Sequence, residues 1–505
     1  MQPYDVIVLG SGNAGLCAAL SAREKGARVA LLERAPHEQR GGNSAHTGGA
    51  FRVAYRGVDD LRRLMPDLLE SEIQNSDFGA YTEDDFFAEL ASMSQYRSDP
   101  EVLDTVVSQS LDTLHWMTGK GVRFMPIYGR QAFMVEGKYR FWGGLTIEVS
   151  GGGLGLVDAL FRSVEKNAVE VFYGCRTQRI SRNADGLWQL DCADGRQFFT
   201  RSLVLATGGF HANLEWRTKY LGPGWDLAKV RGSRYNTGDG IRMAMDVGAV
   251  AHGNWSGCHA VFYDVNAPQM GDLNRLNQQK NYFHLGVVVN AHGKRFVDEG
   301  QDFRNYTYSS MGASVMAQPG GVAWQIFDQH SHDLLPDEYR VRQVTRLQAD
   351  TLQGLVEQME GVNVCAMLQT LETYNAAVQL NVPFNPAIRD GRSTQGLELP
   401  KSNWANPLDR PPFVAYAVTC GITFTFGGLK VNSQAQVLDE EDQPIDGLYA
   451  AGELVGNLYY VKYAGGAGLT SGSVLGRIAG AEAATQSSSL ACFSVLSGVT
   501  DLTHL

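Results

Sequence analysis

Residues 4–15 read YDVIVLGSGNAG, and this stretch decides the fold. The unbroken apolar run before the first glycine predicts a parallel strand that is buried on both faces. Gly10 permits a tight turn, Gly12 lets the backbone approach a pyrophosphate, and Gly15 lets the next helix pack close to the strand. The helical pattern that follows, LCAALSAREKG, presents free N–H groups and a positive dipole end to a phosphate. The stretch therefore predicts dinucleotide binding.

The neighbouring sequence supports this interpretation. A second strand pattern, ARVALLE, ends in Glu33. This acid stands about 20 residues after Gly15, where a carboxylate takes a ribose hydroxyl. A chance GxGxxG match is the alternative in a chain with 57 glycines. Strand, turn, helix, strand and acid in this order favour the binding motif.

Two later turns indicate which dinucleotide is bound. RSLVLATGGF (201–210) is a buried strand pattern that ends in small residues, and PIDGLYAAGELVG (444–456) is a second one with Glu453 in its turn. Each turn alone is explained equally well by a tight connection. Flavoproteins of the two-dinucleotide-binding kind carry both, whereas NAD dehydrogenases usually carry neither, so we expect FAD. One nucleotide-binding domain is then split by an insertion, which predicts an α/β fold.

Composition excludes several classes of partner. The chain has 505 residues, of which 44% are hydrophobic and 19% charged, and its formal net charge is -11. An acidic chain disfavours nucleic acid or an anionic membrane surface as the main partner. The seven cysteines have no CxxC spacing, which indicates reduced thiols in a cytoplasm and no metal site. We expect a cytoplasmic protein without a signal peptide or a membrane span.

The chain resembles the flavoprotein family of succinate dehydrogenase and fumarate reductase over nearly its whole length. The motifs that carry the resemblance are VIVLGSGNAG, GGNSAHTGGA, LATGGF, NTGDGIRMAMDVGA, VVVNAHGKRFVDE, TFGGLKVN, GLYAAGE and GLTSGSVLGRIAG. Within the family the sequence is most similar to the tricarballylate dehydrogenase group. Members of that group oxidise a tricarboxylate to cis-aconitate and pass electrons to an iron–sulfur membrane partner.

The resemblance implies an architecture. An FAD-binding Rossmann-like domain of the two-dinucleotide-binding type would carry an inserted α+β capping domain, with substrate between the cap and the isoalloxazine. We expect the first part of the FAD-binding domain at residues 1–250 and the cap at 251–412. The second part would follow at 413–490, with a C-terminal tail at 491–505.

The matching motifs also imply the residues that contact FAD. These are Gly10, Ser11, Gly12, Asn13, Ala14, Gly15, Glu33, Arg34, Gly41, Gly42, Asn43, Ser44, Thr47, Ala206, Thr207, Gly208, Gly209, Asp239, Gly452, Glu453, Gly468, Leu469 and Thr470. His46 is out of register with the histidine that carries covalent flavin in membrane-bound relatives. We therefore expect FAD to be held without a covalent bond.

The chemistry that the resemblance implies is hydride transfer between flavin N5 and a C–H bond beta to a carboxylate, with a proton moving at the neighbouring carbon. Arg304 matches the family arginine that transfers this proton. Free guanidinium stays protonated at neutral pH, so we expect Glu299 or Asp302 to form a relay with it. An exposed arginine in a charged turn is the alternative. His259 occupies the place of a substrate-binding histidine, with a packed core residue as its alternative.

Two positions depart from the family pattern. Thr423 stands where fumarate reductases carry a histidine, and Tyr463, beside Lys462, stands where they carry an arginine. The exchange removes two strong carboxylate ligands, and we expect Thr423 and Tyr463 to line the site instead. Further residues fall where the family places carboxylate-binding groups: Lys280, Tyr282 and His284.

Three functions remain open at this point. The first is an FAD dehydrogenase of a small polycarboxylate, with an iron–sulfur protein of the inner membrane as electron acceptor. The second acts on a bulkier enone or macrocycle, such as a steroid or a corrinoid, since steroid dehydrogenases carry a tyrosine in the turn of Tyr463. The third is an electron-transfer subunit without substrate chemistry. Convergence of Lys280, Arg304 and Lys462 would favour the first function, and divergence the second.

Overall fold

The computed structural model describes residues 2–276 and 278–497, which form two large sheets with helices around them. Six strands of the first sheet run in the order Thr177–Arg182, Trp188–Cys192, Gln197–Leu205, Tyr4–Leu9, Val29–Leu32 and Glu170–Phe172. In addition, Pro444–Ala450 pairs with Gln197–Leu205, and Gln436–Leu438 pairs with Pro444–Ala450. Tyr4–Leu9 pairs in parallel with both of its neighbours. Its apolar side chains are buried, as the unbroken run predicts.

The turn after Tyr4–Leu9 accepts only glycine at two positions. Gly10 has φ +98°, and a Cβ there would lie 2.3 Å from the carbonyl oxygen of Ala206. A Cβ on Gly15 would lie 1.9 Å from the carbonyl oxygen of Gly10. Helix Asn13–Glu24 therefore starts as close to the sheet as the backbone allows.

The C-terminal helix Ala467–Ser497 packs along helix Asn13–Glu24. A Cβ on Gly476 would lie 2.4 Å from the carbonyl oxygen of Ala14, and one on Gly480 would lie 2.0 Å from that of Ala18. This close approach brings the last helix of the chain back to the first. The expected tail at 491–505 begins inside this helix, and its residues 498–505 lie outside the described residues.

The second sheet is built around one long strand, Phe413–Thr425. Its members are Lys229–Val230, Cys258–Asp264, Val287–Asn290, Ala323–Phe327, Arg346–Ala349 and Phe413–Thr425. The expected domain boundary at 412/413 assigns Phe413–Thr425 to the FAD-binding part, whereas its hydrogen bonds go to strands of the inserted region. An apolar run in the sequence indicates that a strand is buried but does not indicate which strands it pairs with.

Smaller elements complete the fold. Short sheets pair Ala251–His252 with Gly428–Leu429, Ile147–Val149 with Ala50–Phe51 and Phe124–Pro126, and Lys138–Phe141 with Ser76–Asp77 and Ala132–Val135. The remaining α-helices are Val58–Leu64, Glu70–Gln74, Glu83–Met93, Pro100–Ser108, Ser110–Gly119, Tyr128–Gln131, Gly152–Lys166, Leu214–Trp216, Asp239–Met245, Arg304–Thr307, Met311–Met316, Gln329–Asp333, Leu352–Val356 and Val364–Ala377. Among the described helices, none has the length and apolar character needed to cross a bilayer. The α/β fold class that the sequence predicts is confirmed.

Candidate active site

A cavity at the junction of the two sheets is lined by residues from both. The first sheet contributes the ends of Tyr4–Leu9 and Val29–Leu32, and the second contributes Cys258–Asp264 and Phe413–Thr425. The carboxyl ends of parallel strands are where open α/β sheets bind their ligands. The nucleotide motif and the expected substrate residues therefore share one cavity.

The nucleotide part of the cavity is organised by Glu33. Its carboxylate accepts hydrogen bonds from the backbone N–H of Ser11 at 2.9 Å and of Ala35 at 2.6 Å. These bonds fix the acid at the mouth of the glycine turn. A Cβ on Gly12 would meet nothing closer than Ser44 Oγ at 3.5 Å, so the backbone at Gly12 is open to the cavity.

Most of the residues expected to contact FAD line this cavity. They are Gly10, Ser11, Gly12, Asn13, Ala14, Glu33, Arg34, Gly42, Asn43, Ser44, Thr47, Ala206, Thr207, Gly208, Asp239, Gly452, Glu453, Gly468 and Leu469. Gly15, Gly41, Gly209 and Thr470 are packed behind this lining. Thr470 donates its hydroxyl to the carbonyl oxygen of Arg52 at 2.6 Å, for example.

The residues present fit a dinucleotide. The open backbone at Gly12 suits a phosphate, and Glu33 stands where a ribose hydroxyl would need an acceptor. Thr207 also lines the cavity, but its Oγ1 is buried against helix Asp239–Met245, since a Cβ on Gly240 would lie 2.0 Å from it. The fit to a dinucleotide therefore rests on the open backbone at Gly12 and on the carboxylate of Glu33.

His46 ends the short helix Gly42–His46 and does not line the cavity, although Thr47 and Gly48 do. Burial, with a smaller contribution from the positive charge of Arg231, lowers the pKa of His46 to about 4. The imidazole is therefore neutral at pH 7. Its place behind the lining is compatible with the expectation of non-covalent FAD, which stays a prediction.

Arg304 begins the helix Arg304–Thr307 and lines the cavity. It is only 8% exposed, which excludes the alternative of an arginine in a solvated turn. Its Cζ lies 4.5 Å from the ring centroid of Tyr282 and 5.4 Å from that of Trp142. Nη2 donates to the carbonyl oxygen of Arg130, whereas Nε is buried without a partner among the described residues.

The relay expected between Arg304 and an acid is not formed. Glu299 is 1% exposed, lies outside the cavity lining, and accepts hydrogen bonds from Val288 N at 2.8 Å and Arg295 Nε at 3.1 Å. Asp302 lies 3.9 Å from Arg389. The pair of Arg295 and Glu299, four residues apart, takes up the carboxylate that was expected to serve Arg304. This is a correction to the sequence-based expectation.

His259 and Tyr463 form a neutral aromatic pair in the cavity. Their rings stack with centroids 4.5 Å apart and an interplanar angle of 14°. Burial keeps the pKa of His259 well below its usual value, and the charge of Arg231 adds to the shift. Burial raises the pKa of Tyr463 to about 12, and its hydroxyl accepts a hydrogen bond from Gly468 N at 2.9 Å. His259 Nε2 has no partner among the described residues.

Thr423 lines the cavity together with an arginine that sequence reasoning missed. Arg231 Nη1 donates to Thr423 Oγ1 at 3.3 Å, and Arg231 N donates to the carbonyl oxygen of Ile422 at 2.8 Å. The available signal was its position directly after the short strand Lys229–Val230, which pairs in parallel with Phe413–Thr425. That pairing places Arg231 beside Thr423.

The other expected cations do not reach the cavity. Lys280 is fully buried and donates Nζ to the carbonyl oxygen of Glu338 at 2.9 Å, and Lys462 is not part of the lining. The convergence of Lys280, Arg304 and Lys462 that would favour a small polycarboxylate is therefore absent, and this divergence favours the bulkier substrate. Arg130, which was also missed, lines the cavity but is paired with Glu148.

Two other expected ligands of a carboxylate also lie behind the lining. The Tyr282 hydroxyl donates to the carbonyl oxygen of Arg130 at 2.8 Å. The His284 ring packs against those of Trp142 and Trp404. Over residues 2–276 and 278–497 no group of histidine, cysteine or acidic side chains suits a metal ion.

Comparison with known proteins identifies the kind of molecule this is. Residues 5–469 match the family model described as "FAD binding domain". The chain is 26% identical over 507 residues to the NADH:fumarate oxidoreductase of Klebsiella pneumoniae (strain 342), which covers 96% of this chain and 48% of that protein. The chain thus spans about half the length of that relative.

Solved structures share the fold. A flavocytochrome c3 fumarate reductase in its open conformation superposes with a TM-score of 0.71 at 24% identity, covering 96% of this chain and 79% of that chain. The 3-ketosteroid delta1-dehydrogenase from Sterolibacterium denitrificans gives a TM-score of 0.71 at 21% identity, with 96% and 100% covered. The fold is therefore common to proteins named for acidic and for steroid substrates.

Proposed function

The chain belongs to the FAD binding domain family, and we propose that it is an FAD-dependent oxidoreductase that dehydrogenates a small polycarboxylate at a CH–CH bond. The reaction would be of the type that converts tricarballylate to cis-aconitate. As electron acceptor we propose an iron–sulfur membrane protein, of the kind that tricarballylate dehydrogenases use. The protein would then work in the cytoplasm, at the inner membrane through that partner.

The observation that carries the proposal is the state of Arg304. Its guanidinium is buried and lines the cavity, yet no described carboxylate lies within ion-pair distance of it. A buried charge without a counterion is strongly unfavourable. A substrate carboxylate would supply the counterion, which a neutral substrate would not do.

The chain's own residues would divide the work as follows. FAD, when bound, supplies the acceptor for the hydride. Arg304 would exchange the proton at the neighbouring carbon. Tyr282 and Trp142 hold the plane of its guanidinium, and the Arg130 carbonyl holds its Nη2, so the orientation of the group is fixed. A charged guanidinium has no lone pair, so Arg304 would first release one of its own protons to solvent in the cavity and would then accept the substrate proton at Nε, which has no partner among the described residues.

His259 would polarise the substrate. Its imidazole is neutral, and Nε2 is unbonded among the described residues, so it can donate one hydrogen bond to a carboxylate oxygen as the charge on that group grows. The stacked ring of Tyr463 holds the imidazole in place. The Tyr463 hydroxyl oxygen accepts a hydrogen bond from Gly468 N, so its own proton is available for donation to the substrate.

A second candidate is a dehydrogenase of a bulkier substrate, such as a 3-ketosteroid. It is favoured by the absence of Lys280 and Lys462 from the cavity and by its aromatic lining of Tyr308, Phe424 and Tyr463. This candidate leaves the charge of Arg304 without a counterion, which is why it ranks second.

The test is an anaerobic titration of the FAD-bound protein, followed by the loss of flavin absorbance. Tricarballylate, succinate, butyrate and 4-androstene-3,17-dione serve as the panel. We expect tricarballylate to bleach the flavin and butyrate to leave it oxidised. Bleaching by the steroid alone would overturn the proposal in favour of the second candidate. Bleaching by none would leave an electron-transfer subunit as the remaining function.

A further inference from the structure

We infer that Arg231 and Thr423 form a subsite for a second carboxylate of the substrate, apart from the one that meets Arg304. The inference rests on the proposed function, because it assigns how a polycarboxylate is held. Neither the family motifs nor the sequence pattern assigns any role to Arg231.

Arg231 is a cation that makes no ion pair with a described residue. It lines the cavity, and its one side-chain hydrogen bond among the described residues goes to a neutral group, Thr423 Oγ1, at 3.3 Å. No described carboxylate lies within ion-pair distance of it. Arg130, which lines the same cavity, is by contrast paired with Glu148. Arg231 is therefore free to bind an anion.

Thr423 is suited to be the second donor of the subsite. Its hydroxyl oxygen accepts the hydrogen bond from Arg231 Nη1, so its own proton is left to donate. The backbone around the pair is fixed, since Asn43 Nδ2 donates to the carbonyl oxygen of Thr423 at 2.6 Å and Asn43 Oδ1 accepts from Ser233 N at 3.1 Å. The two donors are therefore held together before any anion arrives, which limits the entropy lost on binding.

Arg231 has no paired carboxylate among the described residues. Its positive charge acts on His46, His259, Tyr263, Tyr308 and Tyr463, none of which carries a negative charge at pH 7. Three carboxylates act on some of the same groups, namely Asp272 on His46 and Tyr263, Asp264 on Tyr263, and Glu453 on Tyr463, and none of them makes an ion pair with Arg231. These acids reduce the positive charge at this end of the cavity without pairing with it, so a ligand carboxylate can still bind Arg231.

The position of the pair explains a departure from the family pattern. Thr423 and Tyr463 stand where fumarate reductases carry a histidine and an arginine, so two cationic or donor groups for a carboxylate are lost there. Arg231 contacts Thr423, and its charge reaches Tyr463. It restores a positive charge in the same neighbourhood from a different strand. Arg231 and Arg304 line the same cavity, and the charges of both act on Tyr308.

The inference is tested by R231Q, with R234Q as the matched control. Arg234 is exposed and does not line the cavity, so its substitution removes the same charge three positions away. Binding of citrate, a tricarboxylate, and of butyrate is measured by the perturbation of the flavin spectrum in the FAD-bound protein. Loss of a charge-assisted contact should weaken citrate binding by about 10- to 100-fold. R234Q should stay within about twofold of the unmodified protein, as expected for a surface position.

Butyrate has a single carboxylate, so R231Q should affect it far less than citrate. Equal citrate affinity in R231Q and in the unmodified protein would overturn the subsite, and so would an unmodified protein that does not bind citrate. Neither result depends on turnover. If no carboxylate bleaches the flavin but R231Q selectively loses citrate, the proposed reaction fails and the subsite stands.

R231K covers the case in which R231Q loses FAD. Lysine keeps the charge but not the planar fork, so we expect citrate binding to weaken by at least about fivefold, within the range of a lost hydrogen bond to a charged group. Unchanged citrate affinity in R231K, with full FAD content, would overturn the inference.

Discussion

Arg304 is held by contacts that lysine is unable to reproduce. Its flat guanidinium lies over the rings of Tyr282 and Trp142, and its Nη2 bonds to the carbonyl of Arg130. A lysine ammonium carries the same charge on a flexible stem but has no planar fork. The charge that attracts a carboxylate and the geometry that directs a proton are therefore separable at this residue.

We expect R304K to bind tricarballylate within about tenfold of the unmodified protein, since most of the charge interaction survives. Flavin reduction by bound substrate should fall by roughly 10²- to 10⁴-fold, the usual cost of a misplaced acid–base group. Single-turnover reduction and a binding titration separate the two effects. The exposed Arg389 gives the matched control, and R389K should reduce flavin normally. Near-normal reduction by R304K would remove Arg304 from the chemistry.

On the substrate side, the cavity residues that the sequence predicted are Arg304 and His259, which match family positions, and Thr423 and Tyr463, which replace family residues at aligned positions. Lys280 was one of three candidates in its stretch, and it does not line the cavity because its neighbours form an extended segment. Gln279 bridges to Tyr263, so side chains alternate: Gln279 and Asn281 line the cavity, and the intervening lysine is turned away. Arg231 was missed because its position depends on a distant part of the chain. Its place is set by pairing with a strand almost 200 residues later in the chain, as is typical of sheets built from distant segments.

At the scale of elements, the contact between the first and last helices depends on glycines. The sequence GLTSGSVLGRIAG places Gly476 and Gly480 four residues apart, on one face of helix Ala467–Ser497. The motif was recognisable from the sequence, but its purpose was not, because a glycine pattern does not name its partner. The structure shows that it admits the backbone of helix Asn13–Glu24.

We expect G480A to destabilise the protein. The added Cβ would lie 2.0 Å from the carbonyl oxygen of Ala18, so the helices must separate. Overpacking of this kind costs about 1–3 kcal/mol, which exceeds the gain of about 1 kcal/mol in helix propensity. Thermal unfolding of the FAD-bound protein is the measurement. Gly119 is also helical but has nothing within 4 Å of a Cβ, so G119A should be neutral or stabilising. An unchanged midpoint in G480A would show that the helices are free to move apart.

At the scale of the whole molecule, an acidic chain encloses a cavity in which two of the lining arginines make no ion pair with a described residue. The formal net charge is -11, yet Arg231 and Arg304 line the cavity without a carboxylate partner among the described residues. The sequence showed that the protein is acidic. It did not predict which cations stay unpaired, because pairing depends on side chains that meet only in the folded chain, as with Arg295 and Glu299.

The same burial makes the stability of the protein depend on pH through its histidines. Burial lowers the pKa of a set of them: His46, His115, His252, His259, His284 and His332. Unfolded histidine has a pKa of about 6.5. As the pH falls below that value, these histidines become protonated in the unfolded chain but stay neutral in the folded chain, so the free energy of unfolding decreases. The contribution of each histidine to this decrease ends near the pKa of that histidine in the folded protein, which is about 4 for His46.

We expect H284N to flatten this pH dependence. His284 is buried among aromatic rings and lies near the charges of Arg304 and Lys401, so it stays neutral in the folded protein. Replacing it removes one group that only the unfolded chain protonates. The midpoint of thermal unfolding should therefore drop less between pH 7 and pH 5 in H284N than in the unmodified protein, although packing losses lower it at both values. Buried Glu89 and Glu148 have a raised pKa and oppose the trend equally in both proteins. H292N, at an exposed position, should keep the original slope, and an equal slope in H284N would show that His284 is protonated in the fold.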